Sequence, residues 1–198
     1  MEKQTNNPNL AEIILEILTE NQGNGNRFIS GNRFISKEIA EKLQDCDKCP
    51  VCNAKILKYK SQMNVVQSKA IIKISKGVIL KSQTRSFHEA NNIYVSHLPQ
   101  HIKLTHSERS NLSKLRLHGL IAKVKENGEA QSGRWLITRQ GWAYLRGEEV
   151  SRSITHFRNK VIDRSVETIT IGEAMRGKYS DTIESLQRDL ATLPDDIR

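Results

Sequence analysis

Residues Leu104–Gly147, LTHSERSNLSKLRLHGLIAKVKENGEAQSGRWLITRQGWAYLRG, decide how the rest of the chain is read. Thr105 and Glu108 stand in the T-x-x-E spacing of a capping box, in which each side chain satisfies the other residue's backbone N–H and starts a helix. Leu112 and Leu115 follow at helical spacing, and Gly119 suits the left-handed residue just past a helix end. The expected helix therefore spans Thr105–Gly119. Leu120 to Lys125 then alternates apolar and polar as a half-buried strand does. Asn127-Gly128 and Ser132-Gly133 punctuate a polar excursion, and Trp135 and Ile137 resume the alternation on a return strand. Thr138 is placed to cap a last short helix carrying Trp142 and Leu145.

Helix, two-stranded wing, helix is the second half of a winged helix-turn-helix domain. ERSNLSKLRLHGLI followed by GRWLITRQGWAYLRG resembles winged-helix proteins in which a KLR-x-x-GLI helix end precedes W-x-I-T-x-x-G-x-x-x-L-x-G. More narrowly, residues 49–171 are similar to a poorly characterised bacterial and phage-type family that also carries an upstream C-P-x-C pair. The resemblance implies a winged-helix fold, and the function expected from that fold together with the charge described below is double-stranded DNA binding in transcription regulation. The expected fold class is α+β: a winged helix-turn-helix with an N-terminal helical, cysteine-rich segment and a small C-terminal antiparallel sheet plus helix. The segments read as 1–45, an N-terminal helical pair; 46–91, a cysteine knuckle and basic helix; 92–147, the winged domain; and 148–198, a β-hairpin extension and C-terminal helix.

Charge is distributed to match. Residues 55–147 hold 17 Lys/Arg against 4 Asp/Glu, whereas residues 1–54 hold 6 against 8 and residues 148–198 hold 8 against 10. A basic block flanked by mildly acidic ends favours a polyanion, because Lys and Arg that neutralise phosphates release condensed counterions. A solvated basic surface serving solubility is the other reading of the same block. No apolar run is long enough for a membrane-spanning helix, and the polar start MEKQTNNPNL has no apolar signal core. Three cysteines packed within seven residues do not form a secreted disulfide framework, so a cytoplasmic location is expected.

The candidate DNA-binding residues on the 105–118 helix are His106, Arg109, Ser110, Ser113 and Lys114, whose polar and basic side chains suit a helix laid in a major groove. Leu117 falls on the same outer face and points instead to packing against another domain or subunit. On the wing, placed at 125–134 and its flanks, Lys123, Lys125 and Arg134 are candidate phosphate or minor-groove contacts, and Glu126 and Glu129 oppose them. The alternative role is a protein–protein adaptor using the same scaffold without direct DNA binding.

Upstream, an amphipathic helix is expected over residues 9–19 and another after Ser36, in KEIAEKLQ. Between them GNRFIS occurs twice in tandem, at Gly25–Ser30 and Gly31–Ser36, a duplication that lengthens a loop. Cys46, Cys49 and Cys52 form C-D-K-C-P-V-C. The C-P-x-C half resembles a zinc knuckle, and a structural zinc would need a fourth ligand, for which His88 comes first and His97, His101 and His106 follow. Packing thiols or a redox pair are the alternatives. Met63–Ser75 reads as a basic helix with Val66, Ala70, Ile71 and Ile74 inward and Lys69, Lys73 and Lys76 outward. Residues 78–87 are ambiguous, and Tyr94–His101 is a lead-in broken by Pro99.

Downstream, Ser153–Phe157 and Val161–Arg164 read as strands about an Arg158-Asn159-Lys160 turn, and ETITI (Glu167–Ile171) as a third. Asp181 and Glu184 make a second capping box before Ile183, Leu186, Leu190 and Leu193, a heptad-like stripe that either packs on the protein's own sheet or forms a homodimer. The N-terminal helices are the other candidate dimer surface. Nucleophile elbow, P-loop, dinucleotide fingerprint and H-E-x-x-H are all missing from the sequence, so no enzyme is expected.

Overall fold

A computed structural model describes Lys48 and residues 55–157, 159–177 and 180–191. The expected helices at 9–19 and 37–44, the GNRFIS repeat and Cys46, Cys49 and Cys52 lie outside the described residues. The chain divides into two compact units, residues 1–59 and 60–198. In the first, Lys48 and Lys55, which flank Cys49 and Cys52 in the sequence, pair in an isolated antiparallel bridge.

The second unit is mixed α+β and is built around one long helix. After β1 (Tyr59–Gln62), α1 runs Val65–Ser82. It starts at Asn64, whose Oδ1 accepts from the backbone N–H groups of Val66 and Gln67, while Gln67 Oε1 accepts from Asn64 N at 3.0 Å. This capping box satisfies donors the helix leaves without partners. Ala70, Ile71, Ile74 and Val78 on its inner side are fully buried. The helix continues past Ser75 to Ser82, taking in the first part of the ambiguous 78–87 stretch, and Gly77 is a packing residue within it. A Cβ there would collide with the side chains of Leu98 and Ile93.

Then come α2 (Phe87–Ala90), β2 (Ile93–Tyr94) and two 3-10 turns, Val95–His97 and Gln100–Ile102, on either side of Pro99. α3 (His106–Ser110) and α4 (Leu112–Leu117) follow, then β3 (Ile121–Glu126), β4 (Glu129–Ile137) and α5 (Arg139–Leu145). β2, β4 and β3 form one antiparallel sheet in that order, with Ile93 opposite Trp135 and Lys123 opposite Trp135 on the other side. Lys123 and Trp135 are thus on neighbouring antiparallel strands, as the alternation requires. α5 starts at Thr138, whose Oγ1 accepts from Gly141 N at 3.0 Å and donates to Gly119 O at 2.6 Å. Thr138 N also donates to Leu120 O at 3.1 Å, which draws the two ends of the hairpin together. Phe87 packs at a tilt on Trp142, ring centroids 5.6 Å apart. The buried Tyr144 hydroxyl meets Ser68 Oγ at 2.9 Å, and burial raises its pKa to about 12.

The C-terminal extension holds β5 (Val150–Ser151), β6 (Ser153–Phe157), β7 (Lys160–Arg164), β8 (Thr168–Ile169), α6 (Ile171–Ala174) and α7 (Ser180–Ala191). β6 and β7 form the expected hairpin, with β1 on the outer side of β6, and β5 pairs with β8. ETITI is not a full strand. Thr170 and Glu173 form a capping box that turns the chain into α6 after two paired residues. On α7, Ile183, Leu186 and Leu190 are buried in the unit's own core cluster. Those side chains are not available to a dimer partner. No helix among the described residues is long and apolar enough to cross a membrane.

Candidate nucleic-acid interface

The Thr105 capping box is present in full. Glu108 Oε2 accepts from Thr105 N at 2.7 Å, and Thr105 Oγ1 accepts from Glu108 N at 3.3 Å. The same carboxylate oxygen also takes the Lys73 ammonium at 2.8 Å, and Lys73 donates a further bond to Lys103 O. Burial alone pushes the Glu108 carboxyl up. The hydrogen bonds from Lys73 and Thr105, with the Lys73 charge, outweigh it and hold the pKa below the ordinary carboxylate value. Lys73, expected on an outward lysine face, instead ties α1 to the start of α3.

The expected single helix is interrupted. Asn111 ends α3 and precedes α4, with its side chain donating to Ser107 O at 2.8 Å. Ser110 Oγ donates to that same carbonyl at 2.9 Å. Hydroxyl and amide groups that bond back to the preceding turn compete with the helix ladder, which accounts for the break. His106, Arg109, Ser110, Ser113 and Lys114 are all exposed.

Leu117 is packed within the chain, as an apolar residue near the helix end suggests. It is 7% exposed, not part of an open outer face. Arg164 of β7 reaches the end of α4, with Nη2 3.4 Å from Leu117 O and Nη1 3.5 Å from His118 O. A cation at these carbonyls complements the negative end of a helix. His118 beside them is 1% exposed, and neither ring nitrogen has a hydrogen-bond partner among the described residues. Burial, then the Arg164 charge and then His156, push its pKa down to about 4. His156 on β6 is itself lowered, first by burial and then by Lys114 of α4.

The β3–β4 hairpin turns at Asn127-Gly128, both at positive φ (51° and 84°), as a two-residue hairpin turn requires. The strands pair up to Glu126–Glu129, with a register shift between Lys123 and Lys125. The polar excursion expected around Ser132-Gly133 is therefore part of β4, and Gly133 (φ 73°) lies in the irregular stretch opposite the shift. Lys123 and Lys125 are exposed, with Lys123 Nζ 5.8 Å from the centre of the Trp135 ring. Arg134 is half-buried and engaged internally. Its Nε donates to Asn92 Oδ1 at 3.1 Å, its Nη1 pairs with Glu126 at 3.0 Å, and its guanidinium lies 5.2 Å from the Tyr94 ring centre.

His88, the first candidate for a fourth zinc ligand, is an exposed residue of α2. With His97 it lines a cleft of about 690 Å³ that also holds Lys81, Arg85 and Arg134. Lys81 there has its pKa lowered by burial and by the Arg85 and Arg134 charges. Three cations make a poor seat for a metal ion. Among the described residues, no group of three or more His, Cys, Asp or Glu is placed to hold one.

Arg164, His118 and the Lys73–Glu108 pair were not marked by the sequence pattern. Each depends on a partner at least 35 residues away, which spacing along one helix does not reveal. Comparison of the chain with protein-family models, with curated proteins and with solved structures returned no match.

Proposed function

We propose that this chain is a double-stranded DNA-binding protein, a transcriptional regulator of a bacterial or phage genome, with a winged helix as its binding unit. In this reading α1, α3 and α4 are the helical part, β3 and β4 the wing, and α4 lies in the major groove. The supporting observation is the composition of the α3–α4 surface. Its exposed residues are Thr105, His106, Ser107, Arg109, Ser110, Ser113, Lys114 and Arg116, with neither an acid nor an apolar side chain among them. The single acid, Glu108, is turned inward onto Lys73. Such a face suits phosphates and base edges. Burial of Leu117 removes the feature that favoured a protein–protein adaptor.

The test is binding to genomic DNA fragments across a salt series, with recovery of the bound sequences. Affinity should fall about 10³-fold or more between about 50 and 200 mM salt if several phosphates are neutralised. Affinity insensitive to salt would favour the adaptor. The cysteine trio is carried forward as a proposed structural zinc site, supported by the Lys48–Lys55 bridge on either side of Cys49 and Cys52. Elemental analysis of protein purified without added metal should find zinc close to stoichiometric. Less than about a tenth of an equivalent, with all three thiols titratable in the native state, would make them packing cysteines.

A further inference from the structure

The N-terminus of α1 opens into a depression of about 750 Å³ that the wing and the outer face of α3 do not share. Four cations from separate parts of the chain line it: Lys60 of β1, Lys114 of α4, Arg152 between β5 and β6, and Arg176 just after α6. All four are exposed. The side chains of Lys60, Lys114 and Arg176 make no ion pair or hydrogen bond among the described residues, and Arg152 reaches Glu167 only at 3.8 Å. Glu173, the one carboxylate in the lining, directs Oε2 at Thr170, accepting from its N–H at 2.8 Å and its hydroxyl at 3.1 Å.

Two further features point to an anion. Ser61 lines the depression at 6% exposure, and its Oγ, closed off from solvent, has no hydrogen-bond partner among the described residues. A buried hydroxyl left without a partner is unfavourable, and it leaves beside the wall a donor that the described residues do not use. The 18-residue α1 also presents the positive end of its dipole here, with Asn64, Val65 and Val66 in the wall.

We propose that this depression is a phosphate site, filled by a backbone phosphodiester of the duplex whose groove α4 enters. The assignment rests on the DNA-binding reading, because Lys114 belongs to both surfaces. It makes the C-terminal extension, which supplies Arg152 and Arg176, part of the binding surface beside the helix and wing.

The experiment compares wild type with Lys60→Ala/Arg176→Ala, neither residue being among the proposed base readers, and with the charge-conserving Lys60→Arg/Arg176→Lys. Duplex affinity is measured across a salt series, and in parallel inorganic phosphate is titrated while thermal unfolding is followed. The expected result is a log–log salt slope shallower by about 1 in the alanine pair, since the site holds one phosphate and each neutralised phosphate contributes about 0.9. Affinity should fall about equally for preferred and random fragments, and the charge-conserving pair should keep the wild-type slope. Phosphate should raise the unfolding temperature of wild type more than that of the alanine pair. A wild type that binds DNA with a slope the alanine pair leaves unchanged overturns the site and leaves the DNA reading standing. A wild type that ignores DNA but is stabilised by phosphate, with the effect lost in the alanine pair, upholds the phosphate site and removes the duplex as its source. Failure of both arms overturns both readings.

Discussion

The α3–α4 segment and the tip of the β3–β4 hairpin are both basic in sequence, yet they present different surfaces. Residues 105–118 contain Arg109, Lys114 and Arg116 against Glu108, and the hairpin contains Lys123, Lys125 and Arg134 against Glu126 and Glu129. In the helical segment the acid is folded inward onto Lys73, and all three cations are exposed. In the hairpin both acids are exposed at the tip, directly opposite one another, and Glu126 takes up Arg134. The placement of the acids, more than the net charge, sets what each surface offers a polyanion.

Charge reversal should expose the difference most strongly. Arg109→Glu/Lys114→Glu is expected to weaken duplex binding about a hundredfold or more and to blur sequence preference, since each base or phosphate contact carries about 1–3 kcal/mol. Lys123→Glu/Lys125→Glu should weaken all sequences alike, by about tenfold at moderate salt. Equal losses from the two pairs, measured by competition binding, would dissolve the distinction.

The end of α4 is sensitive to acid in a way the hairpin is not. His118 titrates near 4 in the folded state, below the ordinary histidine value of 6.5. Between these values the unfolded chain binds a proton that the folded chain does not, so stability falls as pH drops from about 6.5 towards about 4. The contribution above that window is lost across it and amounts to about 3 kcal/mol. His118→Leu keeps the apolar volume and should remove that part of the pH dependence in denaturant titrations at pH 7 and pH 4.5. An unchanged pH dependence would place the acid sensitivity elsewhere.

The two glutamates give the smallest effects and the most direct contrast. Glu108→Gln leaves Lys73 without its carboxylate and should destabilise the fold by about 1–2 kcal/mol by chemical denaturation. Glu126→Gln should change stability by less than about 0.5 kcal/mol, because the pair is largely exposed on the carboxylate side. It should raise duplex affinity about two- to threefold by releasing Arg134. A Glu126→Gln protein that binds DNA more weakly would mean that Arg134 acts through its ion pair.

Local chemistry was legible in the sequence. The Thr105–Glu108 box, the Thr138 cap and the Asn127-Gly128 turn follow from side chains within a few residues of one another, and the pairing of Lys123 with Trp135, twelve residues apart, follows from the alternation on either side of that turn. What could not be read depends on distant parts of the chain. Leu117 looked outward on a helical wheel, yet it is buried in the fold, and its carbonyl is met by Arg164 of β7, 47 residues later. Lys73 looked solvated because its acid is 35 residues away. Gly77 is needed where Ile93 and Leu98 close on α1, 16 and 21 residues later in the chain. The cations of the second depression come from four separate elements, and no window of sequence shows them together.

The hairpin is tied off at its neck. Thr138 bonds to both Gly119 and Leu120, Asn91 clasps Ile137 through its N–H and its carbonyl, and a Cβ on Gly141 would strike the Leu120 carbonyl. The positions beyond that knot, around Asn127-Gly128, open onto solvent. A change of charge at the tip therefore meets nothing in the scaffold, whereas a side chain at Gly141 does. The turn itself stays tied to residues that accept positive φ.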